Sequence, residues 1–216
     1  MRIAISGHSG CGNTTVTRAV GSELDLDVVN YTFRNLAEDL GLSFEDIQEE
    51  SLNDPLYDYL TDLMLIRAGS RENVVIGTRL AGWIFDADLR IWLDAPVEAR
   101  AERIFAREGG SAGDVLAKTI VRDRENRQRY LELYGIDIDD HTGFDVTINT
   151  SRLNAEHVAG LAVAAATWAQ DHETDATSRH AHRIRAIISH ELGLDEEAFT
   201  TPELDIRAVY ERARRT

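Results

Sequence analysis

Five short segments rich in β-branched and apolar residues, 2–6, 26–30, 73–76, 89–93 and 145–149, recur along the chain with helical spacing between them. Each reads as a buried strand. Helical patterns occupy 14–24, 33–40, 44–50, 55–68, 97–107, 112–134 and 154–170. Strands and helices alternating in this way predict an α/β fold, a parallel sheet covered on both faces with ligands held at the carboxyl ends of its strands.

With 216 residues and 43% hydrophobic content the chain can bury one substantial core. That core is expected over 1–170, followed by a polar linker over 171–178. Residues 179–216 read as a C-terminal helical appendage, with a helix over 181–192, a stop at Gly193, a loop through Thr200, Thr201 and Pro202, and a last helix over 204–214.

A net charge of -15 argues against broad affinity for nucleic acid or anionic membrane, so neither is expected as a partner. The chain enters a strand pattern at once, Met1-Arg2-Ile3-Ala4-Ile5-Ser6, without a signal-peptide layout, and has no long apolar run. A cytoplasmic location is the expectation. The single cysteine, Cys11, has no partner for a disulfide or a zinc cluster and reads as a small loop residue. All but one of the 23 basic residues are arginine, the exception being Lys118, so a role usually given to lysine falls to that residue, to arginine or to nothing.

Directly after the first strand comes Gly7-His8-Ser9-Gly10-Cys11-Gly12-Asn13-Thr14-Thr15, with the spacing G-x-x-x-x-G-x-[ST] between strand and helix. Its glycines open backbone angles closed to other residues, so that successive N–H groups can face phosphate oxygens at a helix N-terminus. The stretch predicts an anion cradle made by Gly7, Ser9, Gly10, Cys11, Gly12, Asn13, Thr14 and Thr15, with the Thr14 hydroxyl placed to ligate Mg²⁺ and Thr15 beside the α-phosphate. Asn13 stands where such loops carry a lysine; an amide there hydrogen-bonds but brings no charge to the β- and γ-phosphates.

Arg34 follows the second strand and Arg79 the third, which brings both to the loop's end of the sheet, where two guanidinium groups can clamp a second anion. On the long helix Lys118, Arg122 and Arg129 fall on one face, and Arg100, Arg103 and Arg107 form a stripe on the helix before it. The two stripes read either as a flap closing over a polyphosphate or as solvated faces paired with Glu98, Glu102, Asp123 or Glu125.

With these pieces placed, the chain resembles the cytidylate kinase family, most closely its archaeal-type branch, over roughly residues 1–151. The resemblance rests on the loop, on Phe33-Arg34-x-Leu36-Ala37, Arg79-Leu80-Ala81-Gly82-Trp83, Ile91-Trp92-Leu93-x-Ala95-Pro96, Arg100-Ala101-Glu102-Arg103-Ile104, Arg129-Tyr130, Tyr134-Gly135-Ile136-Asp137-Ile138-Asp139-Asp140 and Ile148-Asn149-Thr150-Ser151. It implies a three-layer P-loop kinase core with sheet order 2-3-1-4-5, an acceptor-binding region about 32–69 and a lid about 107–113. It further implies transfer from ATP, with Mg²⁺, to CMP or dCMP. By position, Arg34, Arg79 and Gly82 would bind the acceptor, while Arg122 and Arg129, with Asn13 in the loop, would act on the transferring group. The chain departs from the family at Asn13, at Gly77-Thr78 where relatives often carry an acid, at Thr61-Asp62-Leu63-Met64 where they tend to carry arginine and glutamine, and at Asn126. A nucleotide-binding or sensing protein without turnover, or a kinase for another small acceptor, are the alternatives.

Overall fold

The structure, a computed structural model, describes residues 1–172, 176–178 and 180–215. Residues 173–175 of the expected linker and residues 179 and 216 of the expected extension lie outside that description. In chain order the elements are β1 (Arg2–Gly7), α1 (Asn13–Leu24), β2 (Asp27–Val29), α2 (Phe33–Leu40), α3 (Phe44–Glu50), α4 (Leu56–Gly69), β3 (Val74–Gly77), α5 (Ala81–Ile84), β4 (Leu89–Asp94), α6 (Val97–Glu108), α7 (Ala112–Tyr134), β5 (Val146–Asn149), α8 (Ala155–Gln170), α9 (Ala181–Leu192) and α10 (Ile206–Ala213).

The strands form one parallel sheet in the order β2-β3-β1-β4-β5, the order that the resemblance implies. Alternate residues divide the strands between two apolar layers, as the two-residue period of a strand requires. Ile3, Ile5, Ile91 and Leu93 pack under α1 and α8 with Val16, Val20, Val158 and Ala162, whereas Ala4, Ile76 and Trp92 face Leu60, Leu63 and Ile66 of α4.

Element ends differ from the expected ones by a residue or two, for local reasons. Leu26 donates its N–H to Gly21 O, which makes it part of the α1 C-cap rather than of β2. Asn73 has a positive φ of 57° and cannot extend β3. The sequence reading lacked α5 and the 3-10 turn Glu196–Phe199, each four residues long and too short to show a period.

The C-terminal helices lie on the α4 side of the sheet. There α9 packs on α4, α5 and α7, and α10 packs on α2, α4 and α9. Ile184, Ile188, Leu192, Phe199, Ile206 and Val209 are buried in the same layer as Leu36, Leu40 and Leu60. Burying such side chains stabilises by about 1.5–3 kcal/mol each, so these helices are firmly seated.

Candidate active site

Residues 8–12 leave the centre of the sheet and turn into α1. Gly10 and Gly12 have φ of 87° and 101°, the left-handed region where side chains are strained. Gly10 also passes so close to α6 that a Cβ would sit 2.8 Å from Arg100 O. The turn leaves the N–H groups of Gly12, Asn13, Thr14 and Thr15 without an acceptor among the described residues, at the positive end of the α1 dipole. Thr14 and Thr15 are exposed at its mouth.

Asn13 does not reach outward. Its Nδ2 donates to Gly7 O at 2.7 Å, tying the two ends of the turn together, while its Oδ1 is buried without a partner. Cys11 is buried, and burial pushes its thiol up to about 11, so it is a neutral packing residue at ordinary pH. His8 stacks edge-on against Trp92 at 5.3 Å and accepts or donates a hydrogen bond at Asp139, 3.2 Å away. Burial lowers the pKa of its imidazole, against the raising pull of Asp123 and Asp139.

Three arginines meet this turn. Arg79, just beyond β3, donates from Nη2 to Ser9 Oγ at 2.8 Å and keeps a buried Nε without a partner among the described residues. Arg100 and Arg103 hold the loop through its backbone, donating to Ser9 O at 3.2 Å and Gly10 O at 3.1 Å. Arg100 is also paired with Asp123 of α7 at 2.7 Å, and Arg103 with Thr150 Oγ1 at 2.9 Å. The α6 stripe is therefore committed to bracing the loop and α7, which the i, i+3 spacing of 100 and 103 displays but cannot assign. Arg107 stays outside, on Glu108.

Of the other expected site residues, Arg34 lies with its guanidinium 4.2 Å over the Phe44 ring and has no other polar or ring partner among the described residues. Gly82 gives its N–H to Ser6 Oγ at 3.0 Å, and a Cβ there would meet the Phe144 ring at 2.4 Å, so its contact is one of packing. Arg122 is exposed on α7 and has no hydrogen bond or ion pair among the described residues. Arg129 is engaged: Nε donates to Asp58 Oδ1 at 2.8 Å and Nη2 to Ser51 O at 2.6 Å and to Asp58 Oδ2. Asp58, like Ser51, was missed in the sequence, where 71 residues separate it from Arg129 and nothing marks the pairing. One helical turn on, Asp62 is buried, accepts from Tyr134 Oη at 2.6 Å and is pushed up to about 7 by that burial.

Beside the loop a cavity of about 230 Å³ is lined by Cys11, Gly12, Thr15, Val16, Arg103, Thr150 and Leu153 among others. Its apolar walls and polar rim suit a planar base next to the anion cradle. A larger hollow, lined by Asp46, Glu49, Glu50, Asn53, Asp54 and Arg214, is acidic and unsuited to phosphate. No group of three or more His, Cys, Asp or Glu that could hold a metal occurs among the described residues. A cation at this site would rest on Thr14, phosphate oxygens and water, a set that fits Mg²⁺, which sheds its water reluctantly. No helix among the described residues is long and apolar enough to cross a membrane.

The model of the cytidylate kinase-like family matches residues 2–152. Cytidylate kinase 2 of Borreliella afzelii is 41% identical over 166 residues, covering 74% of this chain and 93% of that one. Cytidylate kinase of Pyrococcus horikoshii is 42% identical over 166 residues, covering 76% and 86%. Among solved structures, shikimate kinase from Bacteroides thetaiotaomicron matches with a TM-score of 0.54 at 18% identity, over 80% of this chain and 99% of that one. Deoxyadenosine kinase from M. mycoides with bound dATP matches with a TM-score of 0.50 at 14% identity, over 77% and 100%. Likeness at such identities speaks for the fold alone. On the family match and the identity to these relatives, the chain belongs to the cytidylate kinase-like family.

Proposed function

We propose that the chain is a (d)CMP kinase, transferring the terminal phosphoryl group of ATP, as its Mg²⁺ complex, to the phosphate of CMP or dCMP. Family membership makes it a phosphotransferase that takes its phosphoryl group from ATP and gives it to a nucleoside monophosphate. The observation that carries the finer reading is the row of free N–H donors from Gly12 to Thr15 with the Arg79 guanidinium beside it, at one end of the parallel sheet.

In this reading the amides of the turn and the α1 dipole hold the β- and γ-phosphates, Thr14 faces Mg²⁺, and the donor base enters the cavity beside Val16. A Mg²⁺ held by the Thr14 hydroxyl and phosphate oxygens would supply charge neutralisation to the triphosphate. Asn13 supplies no charge and serves by fixing the shape of the turn. Arg79, whose Nε has no partner among the described residues, stands between donor and acceptor phosphates and takes up part of the charge a lysine would offset. Arg34, Gly82 and the region about 32–69 receive the acceptor; Arg122 and Arg129 approach the transferring group as the segment about 107–113 closes and excludes water. An acceptor phosphate oxygen then bonds to the γ-phosphorus as the bond to the β–γ bridging oxygen breaks, giving ADP and (d)CDP. A cytoplasmic location belongs to the same proposal.

The test is coupled turnover with CMP, dCMP, UMP and AMP at matched Mg·ATP, with binding of each measured alongside. Turnover is expected with CMP or dCMP above the others. Tight binding with no ADP formed from any acceptor would return the sensing alternative.

A further inference from the structure

The segment Glu50 to Asp58, joining α3 to α4, is gripped from two sides. On the inner side Arg129 holds Ser51 O at 2.6 Å and the Asp58 carboxylate. On the outer side Arg214, just past α10, reaches Glu50 Oε2 at 3.3 Å and Asp54 Oδ2 at 3.1 Å. Between them Tyr57 donates its hydroxyl to Glu50 Oε2 at 2.6 Å, and the Tyr210 ring of α10 lies 6.2 Å from the Tyr57 ring.

The outer grip is itself anchored. Arg67 of α4 donates to Thr201 O at 2.8 Å and to Ala198 O. Arg212 donates to Leu192 O at 3.1 Å, and the Ser178 hydroxyl donates to Trp83 O at 3.0 Å. Ile184 and Ile188 are fully buried under these contacts. The residues matched by the family model end at 152, so the outer half of this arrangement, Ser178, Tyr210, Arg212 and Arg214, lies outside the match.

We propose that Tyr210 and Arg214 are positioning residues for the acceptor: the C-terminal helices fix the Glu50–Asp58 segment and, through Ser51 and Asp58, fix Arg129 and the acceptor-binding helices. An exposed ion pair such as Arg214 with Asp54 adds little to global stability, so its effect is to be sought in the site and not in the melting curve. Coupling between two places is reciprocal, so a ligand that orders the acceptor helices also tightens α10 on them. The inference rests on the assignment of Arg129 to the transfer site.

The test uses the full chain with Tyr210→Ala/Arg214→Ala, Arg214→Lys and Arg129→Ala, each assayed for the KM of CMP, the KM of ATP and kcat. The double variant is expected to raise the KM for CMP about fivefold or more, within the usual range of such couplings, and to leave the KM for ATP unchanged. Arg214→Lys, which keeps the charge, restores the native value. Hydrogen exchange of the unsubstituted chain supplies the second arm: saturating CMP slows exchange of the α10 amides. A folded double variant with the native KM for CMP, or α10 amides that ignore CMP, overturns the inference if Arg129→Ala is impaired. An Arg129→Ala variant with native turnover overturns the reading of the transfer site instead.

Discussion

Arg122 and Arg129 stand seven residues apart on one face of α7, and the surroundings treat them differently. Arg122 is exposed and has no polar partner among the described residues, so its removal costs the fold within about 0.5 kcal/mol. Arg129 neutralises Asp58, whose side chain is only 11% exposed; without it a carboxylate is left unpaired in a place where burial already disfavours its charge. Breaking such a pair costs about 2–3 kcal/mol once the partial exposure of Arg129 is allowed for. Both Arg122→Ala and Arg129→Ala are therefore expected to lower kcat far more than ATP affinity, while only Arg129→Ala also lowers the melting temperature, by about 5 °C or more. Turnover and thermal unfolding of the two variants, side by side, check this. Native rates in both would make them surface residues.

Where α1 crosses β3, a Cβ on Gly77 would lie 1.9 Å from Thr17 Oγ1, closer than atoms can stand. Gly77→Ala must push α1 off the sheet at the root of the phosphate-binding turn, a cost of about 1–3 kcal/mol for overpacking. Thr17→Ala removes the hydroxyl and the methyl but leaves the Thr17 Cβ at 2.8 Å, so the double variant is expected to recover part of the loss. Urea unfolding of the two single variants and the double one measures the coupling. Additive losses would mean the two residues do not share that space. The glycine turn and nearly every helix were legible in the chain, because each depends on spacing along the sequence, whereas the strand order came only with the family resemblance. What the sequence withheld were pairings across it. Arg34 and Arg79 both follow strand ends as expected, yet Arg79 meets Ser9 while Arg34 meets Phe44, a choice made by the packing of α2 and α3. Asn13 was legible as a missing charge, but its bond back to Gly7 needed the folded turn to be seen.

Across the whole molecule, the layer between the sheet, α4 and the C-terminal helices holds one acid far from water. Asp62 ionises near pH 7 when folded and near 3.8 when free, because burial penalises the carboxylate. Below pH 3.8 both states hold the proton and no penalty arises. As pH rises from there the unfolded chain ionises alone, so stability falls until the folded acid also ionises near 7. The full loss is up to about 4 kcal/mol at 1.36 kcal/mol per unit. Asp62→Asn is expected to match the native chain at pH 5 more nearly than at pH 8, where it should be the more stable of the two; denaturant midpoints at both values decide. A constant difference would mean that the acid is not held neutral. The same layer has a consequence for synthesis. Because Ile184, Ile188, Phe199, Ile206 and Val209 complete the core beneath α2 and α4, those helices meet these partners only after residues 184–209 have left the ribosome. The turn that cradles phosphate and the two strands beside it do not need those residues, so the donor half of the molecule can form earlier in translation while the acceptor half waits for them.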